Sequence, residues 1–126
     1  MANSENRIFR IPTAASSPGA AAVKTVIRTD ETASVAFWRV PPGEEVHAHR
    51  HPQGQDTWVV LSGEAVYYLG GDQMGALHPG DIAVAGAGEV HGGRNTGSEE
   101  LVFVSILSPA SAGFAAVDDQ DPPGAV

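Results

Sequence analysis

The sequence predicts an all-β protein, a single antiparallel barrel or sandwich assembled from short strands. Three observations carry this expectation. No window shows apolar residues recurring at the spacing of an amphipathic helix. The apolar residues instead alternate, or run in short blocks bounded by turn formers. Glycine (15) and proline (9) together approach a fifth of the 126 residues, which suits many brief elements joined by tight turns.

Taken in order, the chain opens with an arm over residues 1–22, whose stretch PTAASSPGAAA at 12–22 is too small and turn-rich for a strand. Strands are expected at 23–27 and 34–40, and PPGE at 41–44 then breaks the chain. The next runs, 46–51 and 57–61, are separated by PQGQ at 52–55. LSGE at 61–64 leads into 65–69, GGD at 70–72 into 75–77, and HPGD at 78–81 into 82–85. A Gly-rich corner precedes 90–95, and NTGSEE at 95–100 precedes the last strand, 101–107. Regularly spaced short strands of this kind argue for one β domain over 23–107. Residues 108–126, SPASAGFAAVDDQDPPGAV, are expected to form a flexible C-terminal tail with Phe114 as its one large anchor.

Composition narrows the functional classes. Fifteen acids against seven Lys and Arg give a formal charge of −8. Without Asp118, Asp119 and Asp121 in the tail, twelve acids still face seven bases, so neither nucleic acid nor an anionic membrane is an expected partner. No stretch approaches the roughly 18 apolar residues of a membrane span, and the N-terminus lacks the pattern of a secretory signal. A soluble cytoplasmic protein is expected. With no cysteine, any metal site must use nitrogen and oxygen donors.

Residues 47–56 read HAHRHPQGQD, placing His47, His49 and His51 on alternate positions. Strand residues two apart share a face and lie about 6.6–7 Å apart along the chain. Two such imidazoles can lean onto one ion at about 2 Å. His47 and His51 are separated by roughly 13 Å of strand, so one of the three is expected to stand outside the ligand set. The turn at 52–55 is expected to act as a hairpin, returning Asp56 beside the histidine strand on one face with Trp58 and Val60. Alone, this segment is either a metal site or a solvated histidine face. Residues 80–95, GDIAVAGAGEVHGGRN, add a lone His91 after a Gly-rich corner.

The two stretches together resemble the paired motifs of the cupin superfamily, in particular its small single-domain microbial members. The first runs Gly43, five residues, His49-Arg50-His51, four residues, Asp56, six residues, Gly63. The second runs Gly80, five residues, Gly86-Ala87-Gly88, two residues, His91, three residues, Asn95, and sixteen residues separate the two motifs. The resemblance implies a double-stranded jelly roll holding one divalent metal ion, with His49, His51, Asp56 and His91 as ligands. It departs from the family in having Gly86 where proline is usual and Asp56 where glutamate is usual. Gln55 is the alternative oxygen donor. The resemblance also implies a homodimer built through the N-terminal strands, whose open edge invites pairing.

Nitrogen and oxygen donors suit Fe(II), Mn, Ni, Co, Zn or Cu. His47 is the candidate catalytic proton carrier, because strand parity would turn it toward the cavity; the alternative is an exposed rim histidine. Trp58 and Tyr67 are candidate substrate contacts, or ordinary core. Arg39 is a candidate clamp for a substrate carboxylate if its side chain points inward. His78, in a turn, is expected to be structural or solvated, and Asn95 to close a local backbone hydrogen bond. Acting on a small-molecule substrate, such a protein is expected to be a dioxygenase-type oxidoreductase. The alternatives are a redox-neutral Lewis-acid lyase, isomerase or cyclase, and a non-catalytic binding or sensor barrel.

Overall fold

The computed structural model describes residues 7–12 and 19–117. Its elements are β1 (Val23–Thr29), β2 (Ser34–Val40), β3 (Glu45–Arg50), β4 (Gln55–Ser62), β5 (Ala65–Gly70), β6 (Gln73–Leu77), β7 (Ile82–Ala85), β8 (His91–Asn95), β9 (Leu101–Ser108) and β10 (Ala115–Ala116). They form two five-stranded antiparallel sheets, ordered β1-β2-β9-β4-β7 and β10-β3-β8-β5-β6. The ladders do not run from one sheet into the other, so the jelly roll is a two-layered roll rather than a closed barrel. Among the described residues, no helix is long and apolar enough to cross a membrane.

The core lies between the layers. Val40, Leu101, Phe103, Trp58 and Val60 from the first sheet meet Val46, Ala65, Tyr67 and Leu77 from the second. The alternation in β4 shows why: Asp56, Trp58 and Val60 are buried, whereas Gln55 and Leu61 are exposed. Two turn positions of the motifs have physical work. Gly63 has φ +82°, and a Cβ there would stand 2.6 Å from the Glu100 carbonyl oxygen. Asn95 is buried and donates to the carbonyls of Val40 (2.8 Å) and Glu99 (2.7 Å) while accepting from the Gly97 N–H (2.8 Å). It therefore ties three segments together.

Three expectations need correction. The first concerns the hairpin: β3 and β4 are not paired, and the turn after His51 carries the chain from one sheet to the other. Asp56 thus approaches the histidines across the core rather than from a neighbouring strand. The second concerns parity in β3. Its pairing with β8 slips between Val46 and His49, so these two residues, three apart, are both buried while His47 is exposed. The third concerns the tail. Residues 109–117 fold back against β3, where Ala115 and Ala116 pair with Arg50 and His49. Ala112 and Val117, both buried, anchor this segment at either end. Residues 118–126 lie outside the described residues.

Candidate metal centre

The bulge in β3 and the start of β8 set His49 and His91 directly across from one another. His51 follows at the end of β3, and Asp56 faces all three from β4. One ligand atom from each of the four residues lies within 4.8 Å of the others. All four are buried, with His91 at 1% exposure.

The histidines are held in a consistent way. Nδ1 of His49 lies 2.7 Å from the His47 carbonyl, Nδ1 of His51 2.7 Å from the Gly113 carbonyl, and Nδ1 of His91 3.1 Å from the Glu89 carbonyl. A carbonyl only accepts, so each Nδ1 carries a proton, and in the neutral ring it is Nε2 that keeps the lone pair. Burial pushes His49 down to about 4, despite the opposing bond to the His47 carbonyl, so its ring is neutral near pH 7.

The Nε2 lone pairs meet a carboxylate. Asp56 Oδ2 is 2.9 Å from His91 Nε2, 3.4 Å from His51 Nε2 and 3.4 Å from Trp58 Nε1. Asp56 Oδ1 is buried with no hydrogen-bond partner. Ring nitrogens and a carboxylate this close need something positive between them, a proton or a cation, and a buried orphan carboxylate oxygen is costly. A divalent cation satisfies both conditions, and neutral imidazoles with one carboxylate are donors suited to it. The residues present fit the ion. Gln55 does not compete for this place, being on the exposed face of β4.

The centre lies on a cavity of about 490 Å³ between the layers. Trp58 lines it, while its ring also stacks on Phe103 at 3.9 Å. Tyr67 lies in the core against Trp58, ring centroids 5.1 Å apart, and its buried hydroxyl has no hydrogen-bond partner. Burial, reinforced by Asp56 and Glu89, holds that hydroxyl well above the ordinary phenol range. Arg39 is not a clamp: its guanidinium pairs with Glu100 at 2.5 Å, away from the residues that line the cavity. The His47 side chain, 85% exposed, stands at the rim with Nδ1 3.7 Å from Glu45. Glu45 also receives the Tyr68 hydroxyl at 2.6 Å and Arg94 at 3.3 Å. Burial first, and then that bond to Glu45, push Tyr68 up to about 12.

Sequence reading missed the backbone carbonyls that orient the rings, since a carbonyl has no residue signature. It also missed the cavity wall contributed by Trp38, Ser105 and Leu107. The alternation of β2 and β9 carries a signal for these, once the two strands are known to be neighbours.

A two-layered β roll enclosing three imidazoles and a carboxylate defines a candidate metal-binding β-domain. The chain belongs to the cupin domain family, whose model matches residues 36–107. It is 31% identical over 72 residues to an oxalate-binding protein of Thermotoga maritima, covering 57% of this chain. The match spans only 59% of the length of that relative. A crystal structure of an uncharacterized conserved protein with a double-stranded β-helix domain from Klebsiella pneumoniae superposes with a TM-score of 0.82 at 41% identity, covering 87% of this chain and 96% of that one. A structure of oxalate oxidase shares the fold, with a TM-score of 0.72 at 21% identity over 94% of this chain and 69% of that one.

Proposed function

We propose that this chain is a metal-dependent cupin enzyme acting on a small organic molecule, of the dioxygenase type, with His49, His51, Asp56 and His91 holding one divalent ion. The observation that carries the proposal is the locking of three Nδ1 atoms to backbone carbonyls while one ligand atom from each of His49, His51, His91 and Asp56 lies within 4.8 Å of the others and the second oxygen of Asp56 is left buried without a partner. Bound there, a redox-active ion supplies electron transfer to dioxygen as well as Lewis acidity. The chain's own residues do the rest. One carboxylate among neutral imidazoles offsets only half the charge of a divalent ion, so the site attracts an anionic substrate oxygen. Trp58 and Leu107 exclude water from the cavity wall. Lewis-acid isomerisation or elimination calls for a proton carrier beside the substrate; His47 stands at the rim, and Glu45 beside it also lines the cavity.

A second reading, binding of a small dicarboxylate without turnover, is favoured by the resemblance to the oxalate-binding protein. The same proposal includes a homodimer formed along β1, which among the described residues pairs only with β2 and exposes Val23 and Val26. Sedimentation at micromolar protein should give twice the chain mass, and a monomeric mass removes the dimer.

The test of function loads tag-free protein with Fe(II), Mn(II) or Zn(II) and follows oxygen uptake with a panel of 2-oxo acids, enolisable ketones and catechols. Oxygen consumption matched to substrate loss with iron or manganese, absent with zinc, is expected. Full turnover with zinc under nitrogen transfers the assignment to a lyase, isomerase or cyclase. Saturable oxalate binding with no turnover by any ion establishes the binding reading.

A further inference from the structure

The segment 109–117 forms a strap across one side of the candidate centre. The Gln53 N–H donates to the Ala112 carbonyl at 2.8 Å, and the Val117 N–H to the Ala48 carbonyl at 3.1 Å. Between these fixed points Gly113, at φ +82°, directs its carbonyl to His51. Phe114 comes next. Its ring stacks on His49 with centroids 5.3 Å apart and 27° between planes, and lies 6.1 Å from the ring of His51. A lone exposed apolar side chain is ordinary. This one differs, because its backbone is pinned on both sides and the residue stays 67% exposed while lining the cavity.

The same cavity is also lined by Ala36, Trp38, Val46 and Leu107. At about 490 Å³ it falls within the roughly 300–1,000 Å³ typical of sites for much larger molecules than a two-carbon diacid. Lys24, Ser34, Glu44 and Glu45 add polar groups to the lining, and Trp58 adds to its apolar surface.

We propose that Phe114 is a specificity-determining residue, selecting a ligand that joins a chelating oxygen pair to a flat apolar body. The inference rests on the metal-centred reading above. The oxygen pair of such a ligand faces the ion site. Its ring packs against Phe114 on one side and the apolar wall on the other, covering an aromatic face that water now touches. Oxalate fills only the polar end and gains nothing from Phe114.

The test uses cobalt(II)-loaded protein, with the cobalt absorption spectrum as readout and two probes sharing one chelating head. Pyruvate carries a methyl group and phenylglyoxylate a phenyl ring on the same 2-oxo acid. Phenylglyoxylate should bind about tenfold more tightly or better, the scale expected of a buried aromatic contact. Phe114→Ala should remove most of that preference, Phe114→Tyr should retain it, and neither should change pyruvate or cobalt affinity. Equal binding of the two acids by the parent protein overturns the inference, as does a preference that survives Phe114→Ala. Cobalt uptake without a spectral response to either acid overturns it too, but leaves the metal centre standing. Failure to take up cobalt at all overturns the metal-centred reading itself.

Discussion

Replacing Gly54 with alanine should loosen the candidate metal centre without touching a ligand. An added Cβ at this position would lie 2.2 Å from the Ala112 Cβ, 3.0 Å from the Ser108 carbonyl oxygen and 3.3 Å from the Ala112 Cα. Ordinary contact begins at 3.4 Å, so the strap and the turn must separate by about 1.2 Å. Ala112 is fully buried and has no free direction in which to give. A movement of that size takes the 2.7 Å bond between His51 Nδ1 and the Gly113 carbonyl out of hydrogen-bond range. Overpacking of this kind costs about 1–3 kcal/mol of stability. Loss of a partner that orients a metal-bound histidine lowers metal affinity about 10–100-fold. Competition with a chromophoric chelator reads the affinity, and amide exchange at Ala112 and Val117 reads release of the strap. Gly54→Ala combined with Ala112→Gly removes the closest contact and should recover a good part of both. Unchanged zinc affinity in the single variant, or no recovery in the double, refutes the reasoning.

His49→Ala, His51→Ala, His91→Ala and Asp56→Ala should each lower metal occupancy severely with β circular dichroism retained, while His47→Ala and Gln55→Ala keep the metal; an emptied site in either of the last two breaks the ligand set. Arg39→Ala should leave ligand binding intact but cost about 1–3 kcal/mol on chemical denaturation, because a largely buried charged hydrogen bond to Glu100 is lost. Tyr68 has a pKa raised from 10.0 to about 12, so between those values the folded state holds a proton that the unfolded state releases. Its contribution to stability is complete below pH 10, declines as pH rises to about 12, and stays constant above. Tyr68→Phe should flatten that part of an alkaline melting-temperature profile, while lowering neutral stability by about 1 kcal/mol through loss of the bond to Glu45. An unchanged alkaline slope counts against the assignment.

The nine longer strands were legible in the letters because alternation and turn chemistry act locally. Ser34–Val40 and Ile82–Ala85 form at the expected residues, and the other seven differ only at their ends. What escaped reading is non-local. β10 is two alanines, held by the edge of β3 rather than by propensity. The separation of β3 from β4 depends on which sheet each joins, and a short Pro-Gly turn serves a hairpin or a crossing equally well. The outward turn of His47 follows from a bulge, and one slipped register reverses every later side chain on the strand. The four clustered residues were nevertheless identifiable, because motif spacing records which positions converge without recording the path between them.

Three of the converging donors belong to one layer of the roll, and the fourth belongs to the other. The gap between layers, filled where Trp58 meets Tyr67 edge-on at 5.1 Å, is therefore also the bite of the donor set. An ion held there acts as a tie-rod between two plates. Sliding or swelling of the plates stretches the tie, so affinity for the ion reports on interior volume at positions that never touch it. Trimming Phe103, which stacks under Trp58, would be felt at Asp56 as a change in reach. Conversely, with no ion bound, the donor set places no tie between β4 and the sheet that carries His49 and His91.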